Sequence, residues 1–115
     1  VIGGIKTMAE KIINVAKEFS RVPGGRYYTD GKASGQEFRE KFLIPAFQNY
    51  DRVLIEMDGT RGYPSSFLDE AFGGLVRTLH LTPDQFFEKI KLVASPDFDI
   101  YVQDIRSYVD QTTHA

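Results

Sequence analysis

The sequence predicts an α/β domain: a small mixed, mostly parallel four-stranded sheet packed against three to four helices. Three observations carry that expectation. Short runs that are β-branched or nearly all apolar alternate with stretches whose apolar residues recur every three to four positions. The connections between these runs are long enough to hold a helix, which parallel neighbours require. A chain of 115 residues, 42% apolar and 26% charged, suits one domain with one core, burying roughly 65% of its unfolded surface.

Residues 1–9 have glycines and no clear period, and read as a linker or expression remnant before a single domain over 10–115. Residues 11–15 (Lys-Ile-Ile-Asn-Val) are short and β-branched, hence a first strand. Residues 20–35 form the most glycine-rich stretch; within it, 26–29 read as a second strand between the turns Pro23-Gly24-Gly25 and Asp30-Gly31. Ser34-Gly35-Gln36-Glu37 has the form of a capping box, which starts a helix with Phe38, Phe42 and Ala46 on one face. Pro45 removes the amide that would bond the Lys41 carbonyl, so this helix kinks or restarts there.

Residues 52–57 (Arg-Val-Leu-Ile-Glu-Met), ended by Asp58-Gly59, read as a central parallel strand buried on both faces. The next helix begins after Pro64, with Leu68, Ala71, Phe72, Leu75, Val76 and Leu79 in register. Gly73-Gly74 inside it costs about 1 kcal/mol per residue against Ala, which fits a place where a neighbouring backbone comes close. Thr82-Pro83-Asp84-Gln85 starts a single short turn through Phe87, and residues 89–94 alternate as a last strand. Ser95-Pro96-Asp97 caps a final helix with Phe98, Val102, Ile105 and Val109 on one face. The order is β-β-α-β-α-(α)-β-α, with right-handed crossovers.

Composition removes several functions. Without Cys there is no disulfide framework, thiol nucleophile or Cys-ligated metal, and His80 and His114 are too few for a His-based centre. No cofactor and no metal is expected. The net charge of −2 argues against nucleic acid, although residues 1–52 carry +3 and residues 53–115 carry −5. The longest apolar stretch, 42–47, is interrupted by Pro45 and far too short for a membrane span. The lack of Cys fits a cytoplasmic setting.

Two stretches go beyond pattern: 25–39 (Gly-Arg-Tyr-Tyr-Thr-Asp-Gly-Lys-Ala-Ser-Gly-Gln-Glu-Phe-Arg) and 58–75, which contains Ser-Ser-Phe-Leu-Asp-Glu-Ala-Phe-Gly-Gly. Together they resemble the STAS-like domains of unknown function, bacterial and phage modules related to the sulfate-transporter and anti-sigma-factor-antagonist domain. The resemblance covers roughly residues 10–94. In the antagonist branch, the first serine of a similar helix start is phosphorylated by a partner with a histidine-kinase-like ATPase fold. The resemblance places that serine at Ser65, and an aspartate closing the second strand at Asp30. The antagonists have Asp before the serine pair, where this chain has Pro64.

Read from the residues, Ser65 and Ser66 stand at a helix start. Ser66, with Asp69 three positions on, is the expected cap, and Ser65 the freer hydroxyl. A helix start also tolerates phosphate. Asp58, Arg61 and Tyr63 lie where open α/β sheets bind ligands, and Arg26, Asp30 and Lys32 lie in the glycine-rich approach to the first helix. These residues are the ligand or partner candidates. Neither glycine-rich nucleotide signature is matched. Asp69 and Glu70 are adjacent on a helix and expected to diverge, and no nucleophile–base pair can be named. His80 reads as a partner of the helix dipole. The residues point to a non-enzymatic regulatory interaction module, and the resemblance implies control by serine phosphorylation from a histidine-kinase-like ATPase. The alternative is a sensor or enzyme for a small anionic ligand or nucleotide, held between the loops 26–32 and 58–66.

Overall fold

A computed structural model describes residues 9–112. Strands β1 (Glu10–Asn14), β2 (Arg52–Glu56) and β3 (Ile90–Val93) form one sheet in that spatial order, every pair parallel. The register sets Ile13 beside Ile55 and Ile55 beside Leu92. The predicted fourth strand is absent among the described residues, and with it any antiparallel member. At 26–29 the chain instead makes a 3₁₀ turn, Tyr28–Asp30. The reason is local: one Asp30 carboxylate oxygen accepts the amides of Arg26 (3.1 Å) and Tyr27 (2.8 Å), so those donors are closed into a turn and cannot join a ladder.

Helix α1 spans 35–49 and α2 spans 65–79; each is an α-helix interrupted by a single π turn, at Arg39–Leu43 and Asp69–Gly73. In α1 the α-helix resumes at Ile44, one residue before Pro45, so the widened turn accommodates the missing amide. Helix α3 (Pro83–Lys89) has the predicted capping box between Thr82 and Gln85 and runs past Phe87 to Lys89. A 3₁₀ turn, Pro96–Phe98, leads into α4 (Asp99–Thr112). One further element follows β1: a π turn, Val15–Phe19, capped by Asn14. It carries Phe19 onto Phe38, Phe42 and Phe67.

The core lies between the helices and one face of the sheet. Ile13, Val53, Ile55 and Ile90 are buried there with Phe38, Phe67, Phe72, Leu75 and Ile105. The opposite face is open, with Ile12 50% and Val93 43% exposed and Leu54 half-buried between the outer strands. Burial of β2 on both faces, predicted from its apolar run, is therefore corrected: Val53 and Ile55 are covered, and Leu54 and Glu56 flank the open side. Among the described residues, no helix is long and apolar enough to cross a membrane. The linker reading of residues 1–9 and His114 lie almost wholly outside the described residues. Ala9, the first of these, already exchanges hydrogen bonds with Asp51.

Candidate functional site

The site is built from the two loops that follow β1 and β2. The first is stitched to the start of α1. Ser34, fully buried, caps the helix by accepting the Glu37 amide at 3.1 Å. The amides of Gly35 and Gln36 donate to the carbonyls of Gly25 and Arg26. The predicted return bond from Glu37 to the cap is replaced by an ion pair with Lys41. Gly25 sits at φ +80°, and a Cβ there would come within 2.9 Å of the Asp30 side chain, so the turn that aims Arg26 needs glycine. The two loops are tied together by the Arg61 amide donating to the Arg21 carbonyl at 2.8 Å.

Helix α2 starts at the rim of the second loop. Its N-cap is Pro64, whose carbonyl accepts the Leu68 amide, and Ser65 and Ser66 are its first two helical residues. The expectation that Ser66 caps the helix is thus corrected. Both serines lie inside the first turn, Ser65 one position and Ser66 two positions past the cap, too late for their oxygens to reach the free amides. Among the described residues neither hydroxyl has a hydrogen-bond partner; Ser65 is exposed and Ser66 half-buried.

One turn further on, Asp69 and Glu70 do not diverge. Arg26 reaches across and bridges them with a single nitrogen, at 2.7 Å to Asp69 and 3.2 Å to Glu70. Arg39 of α1 donates to the Glu70 carboxylate (2.6 Å) and to its carbonyl (2.7 Å), and Arg77 meets Asp69 at 3.3 Å. The Asp69 carboxyl is held below its ordinary range: burial opposes ionisation, but the hydrogen bond from Arg26 and the charge of Arg77 outweigh it. Arg26 is correspondingly held protonated, first through its bond to Asp69. Arg39 and Glu70 are both buried, and the Arg39 Nε–H has no acceptor.

Of the remaining candidates, Asp58 accepts the Ser95 amide at 3.0 Å and so ties the β2 loop to the approach of α4. Tyr63 is buried, its hydroxyl donating to the Met57 carbonyl at 2.7 Å and its ring packed on Phe67 and Tyr101. Burial pushes its hydroxyl well above the usual tyrosine range. Lys32 and the Arg61 side chain are exposed and have no partner among the described residues. Beside them Val22, Tyr27 and Tyr28 are exposed apolar side chains. His80 closes α2 in the left-handed conformation, φ 55° and ψ 49°. Among the described residues no three His, Asp or Glu converge as metal ligands do.

Sequence reasoning missed the ionic cluster, though one signal for it existed. Arg39 stands four residues after Gly35 and four before Leu43, on the flank of the apolar stripe, where a charge needs a buried partner. The glycine pair of α2 has its explanation here too. A Cβ on Gly74 would run into the Arg39 guanidinium, and one on Gly73 would meet the Asp69 carboxylate at 2.8 Å. The close backbone approach expected at these glycines occurs instead at Gly35, where a Cβ would lie 2.6 Å from the Phe67 carbonyl.

A parallel sheet covered on one face, with a serine-led helix at the carboxyl end of its central strand, defines a small α/β domain. The chain belongs to the family of STAS-like domains of unknown function, whose sequence profile matches residues 34–95. That span contains α1, β2, α2, α3 and β3. No curated protein and no solved structure matches the chain.

Proposed function

We propose that this domain is a non-enzymatic regulatory module. It presents the loop 58–64 and the first turn of α2 to a histidine-kinase-like ATPase, which phosphorylates Ser65 or Ser66. The observation that carries the reading is the pair of serine hydroxyls on the first turn of α2, neither of them used for capping. Helix amides and the positive end of the helix dipole favour an added phosphate at such a position. The surrounding rim suits a protein partner, since Arg61 and Lys32 are exposed cations and Val22, Tyr27 and Tyr28 are exposed apolar contacts. In the transfer, a bond forms between the serine Oγ and the γ-phosphorus of ATP, and the bond to the β-phosphate oxygen breaks. ADP leaves, and the hydroxyl proton passes to a base of the kinase or to water. Dependence on ATP goes with a cytoplasmic setting for the pair.

The small-ligand alternative is less well supported. Asp58 is already engaged by the Ser95 amide. A surface cavity of about 460 Å³ lies elsewhere, beside Arg52, Gln85 and Lys89.

The test is affinity capture from the native host, followed by mass spectrometry and phosphoryl transfer with the captured ATPase. The expected result is phosphate on Ser65 or Ser66 in cells, and transfer in vitro that is lost in the double alanine variant. Absence of phosphate from both serines, with no captured ATPase able to transfer one, refutes the reading.

A further inference from the structure

We infer that Arg26 is the residue that reads the phosphorylation state of α2, and that the phosphate it reads is on Ser66. This rests on the regulatory reading above and deepens it.

The argument starts from helix geometry. At about 100° per residue, Ser66 lies at an azimuth between Asp69 and Glu70, whereas Ser65 lies to the far side of Asp69. Helical side chains lean toward the N-terminus, so the carboxylates of Asp69 and Glu70 cover the surface of the preceding turn. The arginine that bridges them is therefore on the Ser66 side of the helix. Arg26 makes both of its ionic contacts through Nη1. Its Nε and Nη2 have no acceptor among the described residues, and its side chain is 32% exposed. The guanidinium can thus accept a second anion through its free donors, in the forked geometry that phosphate favours.

A second observation is independent of this spacing. Arg39 is buried in the same cluster, its side chain 11% exposed, and its Nε–H has no acceptor. Three guanidinium groups share two carboxylates, with Glu40 approaching Arg39 only at 3.8 Å. The cluster is short of acceptors, so it favours an incoming anion over an incoming cation.

The consequence is mechanical. A phosphate carries about −1.5 to −2 charges, more than either carboxylate, and competes with Asp69 and Glu70 for Arg26. Arg26 belongs to the loop whose carbonyls cap α1. Drawing its side chain toward Ser66 transmits the modification from α2 to the glycine-rich loop and its exposed Tyr27 and Tyr28.

The experiment installs phosphoserine at position 66, and separately at position 65, in the 115-residue chain. Each phosphate is titrated by ³¹P NMR, natively and in urea. An unperturbed phosphoserine has its second pKa at about 6. For phosphoserine at 66, the native value should fall below the urea value by about half a unit or more. Arg26→Ala should remove most of that fall, leaving only the part that the helix start supplies, and Arg26→Lys should restore part of it, while the phosphate at 65 should respond little to Arg26. Equal titration of the phosphate at 66 in native protein and in urea overturns the proposal, even if Arg26→Ala fails to fold. So does a native shift that is undiminished in folded Arg26→Ala. Because the phosphate is installed chemically, this failure is distinct from a failure to find phosphate in the host, which bears on the regulatory reading alone.

Discussion

A hydroxyl near a helix start stabilises the helix only if it stands at the cap. Ser34 does, accepting the Glu37 amide from a fully buried position, whereas Ser65 and Ser66 sit one and two residues inside α2. Ser34→Ala is therefore expected to cost about 1 kcal/mol or more, while Ser65→Ala and Ser66→Ala each stay within about 0.5 kcal/mol of the parent. Urea denaturation of the three variants decides it, and a loss at Ser66 as large as at Ser34 would contradict the geometry. Asp69 makes a prediction of opposite sign on the pH axis. Its folded pKa is depressed, so the stability it contributes is fully present above the unfolded value of about 3.9. That stability is lost as pH falls through the lower, folded value. Arg26→Ala removes the main cause of the depression and should flatten the fall in stability below about pH 4. An unchanged acid limb would show that Asp69 does not depend on Arg26.

At the scale of elements, legibility followed the strength of the local signal. The apolar period of α2 and the Thr82–Gln85 box were readable because each is satisfied within a few residues of sequence. The π turns were not, since nothing in the apolar spacing marks where they fall. Residues 26–29 misled for a different reason. Tyr-Tyr-Thr has β propensity, but a single carboxylate, Asp30, collects two amides and outweighs it. The glycines of α2 were noticed as exceptional, yet which partner approaches them depends on a residue 35 positions away in sequence, and only the fold supplies that. The result is a testable ranking. Gly35→Ala should destabilise by about 1–3 kcal/mol, because the added carbon meets the backbone of Phe67 and Ala71, which cannot move without opening the α1–α2 contact. Gly73→Ala should cost less, since only the far ends of the Asp69 and Arg77 side chains must shift. Thermal melts of the pair check the order, and equal losses would mean that α1 can slide on α2.

For the whole molecule, the open sheet face decides how stability is distributed. Parallel sheets are generally covered on both sides, and the apolar run of β2 led to that expectation. Here the register puts Ile13, Ile55 and Leu92 on the helix side and Ile12, Leu54 and Lys91 on the other. The two sets differ sharply in exposure: Ile13 and Ile55 are 1% and 0% exposed, against 50% for Ile12. Ile55→Ala should therefore cost about 2–5 kcal/mol, through the apolar surface lost and the cavity left among packed neighbours. Ile12→Thr and Val93→Thr leave no cavity and keep a β-branched side chain, so each should change stability by less than about 0.5 kcal/mol. Chemical denaturation of the isolated domain makes the comparison directly. If Ile12→Thr proves as damaging as Ile55→Ala, the second face is not free in solution, and a concentration dependence of the midpoint would then identify another copy of the chain as its cover.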